Sequence, residues 1–177
     1  MSEKIDLAKS IRSIPDFPKP GILFRDITTL IKDKKAFKSS VELIAQKFAQ
    51  EKIDYVVGVE ARGFIFGGAL ATRLNVGFIP IRKKGKLPAK TKSITYNLEY
   101  GTDTLEIHQD ALNPGDKVLI IDDLLATGGT VRAVVDLVEA QGAKVLGLAF
   151  VIELVDLKGR EKLKKYPIVS LVEFEGE

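Results

Sequence analysis

The sequence predicts an α/β protein, a single domain on a mostly parallel central sheet flanked by helices. Short segments that are largely apolar, residues 55–59, 76–81, 118–121 and 145–152, alternate with segments whose apolar residues recur at helical spacing. Strands lacking a polar face suit a parallel sheet covered on both sides rather than an antiparallel one with a wet face. The 177 residues, 45% hydrophobic and 29% charged, are enough for one domain with a substantial core.

The elements follow in chain order. Residues 1–33 form an arm whose middle, residues 10–21, reads as irregular because Pro15, Pro18 and Pro20 punctuate it before Leu23-Phe24-Arg25. Phe37, Val41, Ile44 and Phe48 mark one helix face, and residues 55–59 a buried strand. Residues 64–74 read as a helix and 76–81 as a strand. A loop follows in which Arg82, Lys83, Lys84, Lys86, Lys90 and Lys92 meet no acidic residue, a field suited to a substrate with several phosphate charges or to plain solvation. Next the period changes to two. Ile94, Tyr96, Leu98 and Tyr100 alternate with Thr95, Asn97 and Glu99, and Leu105 and Ile107 resume after Gly101, so residues 91–108 hold an antiparallel hairpin. Glu99 falls opposite the tyrosines at the mouth of its turn. A surface glutamate fits that position, and so does a group on a flexible lid. Residues 118–121 form a strand that ends at Asp122, and residues 130–140 a helix stopped by Gly142. Strands at 145–152 and 168–172 complete the sheet.

Asp122, Asp123 and the loop Ala126-Thr127-Gly128-Gly129-Thr130 carry the chemistry. Amides of a glycine turn at a helix N-terminus face anions, and threonine hydroxyls add donors. Carboxylates repel phosphate, so Asp122 and Asp123 must face sugar hydroxyls or a cation. A ribose 5-phosphate satisfies both halves. The same loop also suits an ordinary strand–helix connection with a capping role, against which the adjacent carboxylates count. No two glycines stand two residues apart, which excludes the dinucleotide fingerprint. The glycine pairs with P-loop spacing lack the Lys-Ser or Lys-Thr that should follow.

Bulk properties remove further classes. There is no cysteine and His108 is the single histidine, which leaves thiolate catalysis, zinc-thiolate sites and histidine triads without material. No apolar run reaches the ~18 residues of a membrane span, and Met1-Ser2-Glu3-Lys4 opens no signal peptide, so no membrane and a cytoplasmic setting are expected. A formal charge of +3, with no aromatics interleaved in the basic run, speaks against nucleic acid.

The hydrophobic strand, acidic pair and small-Thr-Gly-Gly-Thr loop resemble the phosphoribosyl-diphosphate (PRPP) signature of the type I phosphoribosyltransferases. Pro20-Gly21-Ile22-Leu23-Phe24-Arg25-Asp26-Ile27, Glu60-Ala61-Arg62-Gly63-Phe64, the segment from Arg82 to Pro88, Leu98-Glu99-Tyr100-Gly101 and Leu157-Lys158-Gly159-Arg160 narrow the resemblance to the adenine-specific branch. The resemblance implies that family's fold, with a flexible hairpin lid and an N-terminal arm that binds the base. It implies transfer of a phosphoribosyl group from PRPP to adenine, giving AMP and diphosphate. It assigns ribose and 5-phosphate to Asp122, Asp123 and Ala126 to Thr130. Diphosphate falls to Glu60, Ala61, Arg62 and Lys83, with a cis peptide between Glu60 and Ala61. Adenine falls to Leu23, Phe24 and Arg25, proton handling to Glu99 and lid closure to Tyr100. Mg²⁺ is implied through substrate and water, with no protein ligand, and a homodimer is implied as the assembly. A different purine base, or a PRPP-sensing regulator on the same fold, are the alternatives.

Overall fold

The computed structural model describes residues 5–98 and 101–176. The arm contributes two short strands, β1 (Arg12–Ile14) and β2 (Phe24–Asp26), followed by helices α1 (Thr28–Lys32) and α2 (Lys34–Lys47). Then come β3 (Tyr55–Val59), α3 (Gly63–Leu74), β4 (Gly77–Lys83), β5 (Thr91–Asn97) and β6 (Thr102–His108). The chain continues through β7 (Lys117–Leu125), α4 (Gly129–Glu139), β8 (Lys144–Leu154) and β9 (Ile168–Phe174). Seven strands form one sheet in the order β5-β6-β4-β3-β7-β8-β9, while β1 and β2 pair separately. From β4 to β9 all neighbours are parallel. The β5–β6 hairpin is antiparallel and joins the sheet through two residue pairs, Arg82 with Glu106 and Lys83 with Leu105.

The strands are apolar throughout because successive residues feed two cores. On β7, Val118 and Ile120 pack with Val131, Val134, Val135 and Val138 of α4. Leu119 and Ile121 point the other way, toward Val41 and Ile44 of α2 and Phe66 and Leu70 of α3. Each fully buried aliphatic side chain contributes roughly 1.5–3 kcal/mol by leaving water. Local signals set the helix limits. Asp33 caps α2, accepting from the amides of Lys35 and Ala36 at 2.8 and 3.0 Å. Asn75 ends α3 in the left-handed region at φ 57°.

Two expectations need correction. The strand expected to stop at Asp122 runs on to Leu125, because β8 is long enough to pair Leu124 with Ile152 and Leu125 with Glu153. Pairing with β3 has already ended at Gly58 opposite Ile121, so the carboxyl third of β7 has a sheet neighbour on one side only. The arm is also less irregular than its prolines suggest. Arg12, Ser13 and Ile14 pair with Asp26, Arg25 and Phe24, a strand made by a partner about a dozen residues away rather than by local propensity.

Candidate active site

The end of β3 beside the continuing β7 opens a crevice, and Asp122 and Asp123 lie along its wall. Asp123 is 6% exposed and accepts a 2.5 Å hydrogen bond from Arg62 Nε. Arg62 precedes α3, after a cis Glu60–Ala61 peptide bond, and half of its side chain is open to solvent. Asp122 Oδ1 accepts from the Asp123 amide at 2.8 Å. The α3 N-terminus can abut that carboxylate because Gly63 has no side chain: a Cβ there would lie 2.8 Å from Asp122 Oδ1.

Loss of solvation pushes the Asp122 carboxyl well above its usual range, and the Asp123 charge adds to the shift. The Asp123 amide and the Arg62 charge pull the other way without overcoming it. Arg62 is held even more firmly as a cation, chiefly by its bond to Asp123. Asp122 keeps part of its surface open to the crevice, as an acceptor for an incoming hydroxyl must.

Past Leu125 the chain turns through residues 126–128, with Gly128 in the left-handed region at φ 79°, and enters α4 at Gly129. The first amides of a helix lack intrahelical partners, so this turn aims donors at the crevice. Arg62, Asp122, Asp123 and residues 124–131 line a cavity of about 190 Å³. That is below the roughly 300–1,000 Å³ of a complete small-molecule site and suits one sugar phosphate. A wider concavity of about 590 Å³ lies at the opposite, amino ends of β3 and β4. Its carboxylates are engaged structurally, Asp54 with the Lys117 amide and Asp116 with the Asn113 amide, and it gathers none of the predicted site residues.

A segment from the far end of the chain holds the turn from behind. A Cβ on Gly128 would lie 2.6 Å from the Gly159 carbonyl, and one on Gly159 would run into the Ala126 carbonyl. Next to Gly159, Arg160 grips Glu153 with Nε at 2.7 and 2.9 Å and Nη2 at 2.6 Å, and donates to Ser170 Oγ at 3.0 Å. Glu153, 3% exposed, is the β8 residue paired with Leu125. Neither Glu153 nor the Arg160 clamp was apparent from sequence. Arg160 lies in the recognised Leu157-Lys158-Gly159-Arg160 segment, but its bonds to Glu153 and Ser170 join different elements that no local pattern relates.

The residues predicted for diphosphate divide in two. Glu60 turns its carboxylate to Arg82, at 3.0 and 3.3 Å, and to the Lys83 amide at 3.0 Å, while its own amide donates to the Ile81 carbonyl and the Ala61 carbonyl accepts from the Phe64 amide. Lys83 Nζ lies 3.1 Å from Asp103 of the hairpin. A second hairpin contact joins the Tyr96 hydroxyl to Thr130 Oγ1 at 3.2 Å. Asp103 and Tyr96 were also missed, because each meets its partner only across the fold. Glu99 and Tyr100 lie outside the described residues.

In the arm, Leu23 and Phe24 are half-buried, and Phe24 meets Phe17 edge-on with centroids 5.1 Å apart. Arg25 donates to Ser13 Oγ at 2.7 Å and lies 3.9 Å over the Phe174 ring, which ties the arm to β9. Asp26 anchors β2. Its carboxyl is lowered to about 2 by the Thr28 hydroxyl, then by Arg12 and the Thr28 amide. Its charge also adds, as the smallest contribution, to holding Arg62 as a cation.

Residues 28–176 match the family described as the phosphoribosyl transferase domain. An adenine phosphoribosyltransferase of Symbiobacterium thermophilum is 59% identical over 170 residues, which cover 96% of this chain and 100% of the relative. Among solved structures, adenine phosphoribosyltransferase from Thermoanaerobacter pseudethanolicus superposes with a TM-score of 0.92 at 55% identity, covering 95% of this chain and 98% of the other. The Saccharomyces cerevisiae enzyme, complexed with an imino-altritol bisphosphate and adenine, gives a TM-score of 0.88 at 42% identity, with 94% and 96% covered.

Proposed function

The chain belongs to the phosphoribosyl transferase family, and from that premise we propose how it carries the 5-phosphoribosyl group from PRPP to adenine, releasing AMP and diphosphate. One observation carries the reading. A carboxylate pair and an amide-rich turn share the wall of a cavity the size of a ribose 5-phosphate. Asp122 and Asp123 accept from the ribose hydroxyls, while the turn at residues 126–130 holds the 5-phosphate. As the bond from the anomeric carbon to diphosphate breaks, positive charge spreads over the ring, and the two carboxylates stabilise it at fixed positions. Arg62 and Lys83 neutralise the departing diphosphate, and the main chain of Glu60 and Ala61 lies along it. The base stands against Phe24, and main-chain groups of Leu23 and Arg25 read its edge. The Arg25 guanidinium, occupied by Ser13 and Phe174, supports a main-chain rather than side-chain role. Glu99 takes the proton lost from the purine as its nitrogen bonds to the anomeric carbon, and Tyr100 closes over the site.

Mg²⁺ belongs to the same proposal. Among the described residues no three carboxylate or imidazole side chains converge, and Asp123 is already bonded to Arg62. That donor set fits a cation held by phosphate oxygens and water. Such an ion supplies charge neutralisation for the leaving diphosphate. A homodimer is supported by the exposed Leu43 and Ile65 on α2 and α3, two helices that the Arg73–Glu42 pair joins. A cytoplasmic setting suits a chain without cysteine. No helix among the described residues is long and apolar enough to cross a membrane. The test is purified protein with PRPP, Mg²⁺ and, separately, adenine, hypoxanthine, guanine or xanthine. AMP from adenine, with no nucleotide from the other bases, is expected; equal turnover of an oxo-purine would overturn the assignment of the base.

A further inference from the structure

Lys83 reaches the diphosphate side of the crevice already paired. It ends β4, and its Nζ sits 3.1 Å from Asp103 Oδ2 at the start of β6. The other Asp103 oxygen accepts from the Thr104 amide at 2.8 Å, so the carboxylate is oriented by its own backbone. Lys83 leaves 60% of its side chain open and Asp103 22%. The ammonium can therefore swing away while the carboxylate stays. Asp103 has no part of PRPP itself to bind by attraction, because the sugar hydroxyls are met by Asp122 and Asp123 and the remaining groups are phosphates, whose Mg²⁺ is held by phosphate oxygens and water on the reading above. A fixed carboxylate beside a polyanion subsite weakens that subsite unless it has another task.

We propose that Asp103 is a positioning residue that competes with diphosphate for Lys83, holding the ammonium against the hairpin when the subsite is empty and releasing it when the polyanion arrives. The inference rests on the reading of Lys83 as a diphosphate ligand. Exchange of partners makes arrival of diphosphate loosen one tether of the hairpin, since Asp103 lies on β6. A second tether, from Tyr96 to Thr130, stays on the 5-phosphate turn, and the pairing of β4 with β6 is untouched. Departure of the product is assisted in the same way, because the carboxylate is there to take the ammonium back. Nothing is broken covalently, and only the partner of one ammonium changes.

Asp103→Asn tests this, since the amide keeps the shape and the acceptor for Thr104 while removing the charge. In a titration with inorganic diphosphate and Mg²⁺, the variant should bind about twofold to tenfold tighter, the range expected for deleting one partly exposed competitor of a lysine. KM for PRPP should fall alongside, KM for adenine should not move, and kcat should not rise. In a Lys83→Met background the same change should tighten diphosphate binding by clearly less, because only direct repulsion by the carboxylate is then relieved. Unchanged or weaker diphosphate binding in Asp103→Asn, or equal tightening without Lys83, would overturn the proposal. A crystal of the wild-type protein with diphosphate gives an answer that needs no variant. Lys83 Nζ should contact the diphosphate and stand beyond reach of Asp103, and an intact Lys83–Asp103 pair would refute the exchange. Wild-type protein that makes no AMP would bring down the reaction and this inference together. AMP formation with an unmoved diphosphate affinity in Asp103→Asn would remove the inference alone.

Discussion

Asp122 stands where the needs of the fold and of the substrate oppose each other. In the unfolded chain its carboxyl titrates near the ordinary 3.8, whereas in the fold burial and Asp123 raise it well above that. Between the two values the folded state holds more proton than the unfolded one, so stability declines as pH rises through the window and stays at the lower level beyond it. The charged form is the one a ribose hydroxyl and a developing ring cation require. Asp122→Asn keeps an oxygen for the Asp123 amide and drops the charge, so two effects of opposite sign are expected. The variant should melt higher than the wild type at neutral pH, with the gap closing in acid below the usual carboxylate range. Its kcat should fall by about 10²-fold, the scale for losing one aimed electrostatic group. Melting curves from about pH 2.5 to 8 beside a kcat measurement check both, and loss of stability at neutral pH would mark Asp122 as a structural residue.

The turn at residues 126–130, proposed above to hold the 5-phosphate, is an element shaped by its neighbours as much as by its own residues. Its threonines and glycines are contiguous, so Ala126 to Thr130 could be recognised directly from sequence. So could α2, whose stripe of Phe37, Val41 and Ile44 needs no distant information. What holds the turn was not visible in the same way, because Gly159 meets it from thirty residues onward and Arg160 finds Glu153 on another strand. The extension of β7 to Leu125 escaped notice for a related reason: acidic residues ordinarily end a strand, and here a long β8 supplies ladder partners past them. Gly159→Ala probes the dependence. The added methyl meets the Ala126 carbonyl and has no space to take, so the turn must move. Overpacking of this kind costs about 1–3 kcal/mol. Since the displaced atoms belong to the phosphate turn, KM for PRPP should rise at least tenfold while diphosphate, bound at the other side, keeps its affinity. Equal weakening of both ligands would point to general loosening of the fold.

At the scale of the molecule, the site draws on segments that the sheet brings together from most of the chain. The arm arrives through β2, Arg62 through the β3–α3 turn, Lys83 from β4, the carboxylates and phosphate turn from β7 and α4, and the hairpin from β5 and β6. Packing against two cores fixes where the strands end, whereas the hairpin pairs with β4 at two residue pairs and the arm keeps its own separate ladder, reaching β9 where Arg25 lies over Phe174. A nucleotide seated in the crevice would touch the firmly held and the lightly held parts at once. Its binding energy is then available only to the folded chain, and it should appear as global stability. At AMP one hundred times its Kd the gain is about 2.7 kcal/mol, and for a domain near this size that raises Tm by roughly 5–11 °C. Thermal melts with AMP should show that rise in one cooperative step, and IMP at the same concentration should shift Tm by clearly less. In the Asp122→Asn/Asp123→Asn double variant the AMP shift should nearly vanish, because the ribose hydroxyls lose their charged acceptors while the cores stay intact. An undiminished shift there would place the sugar somewhere other than along the carboxyl end of β7.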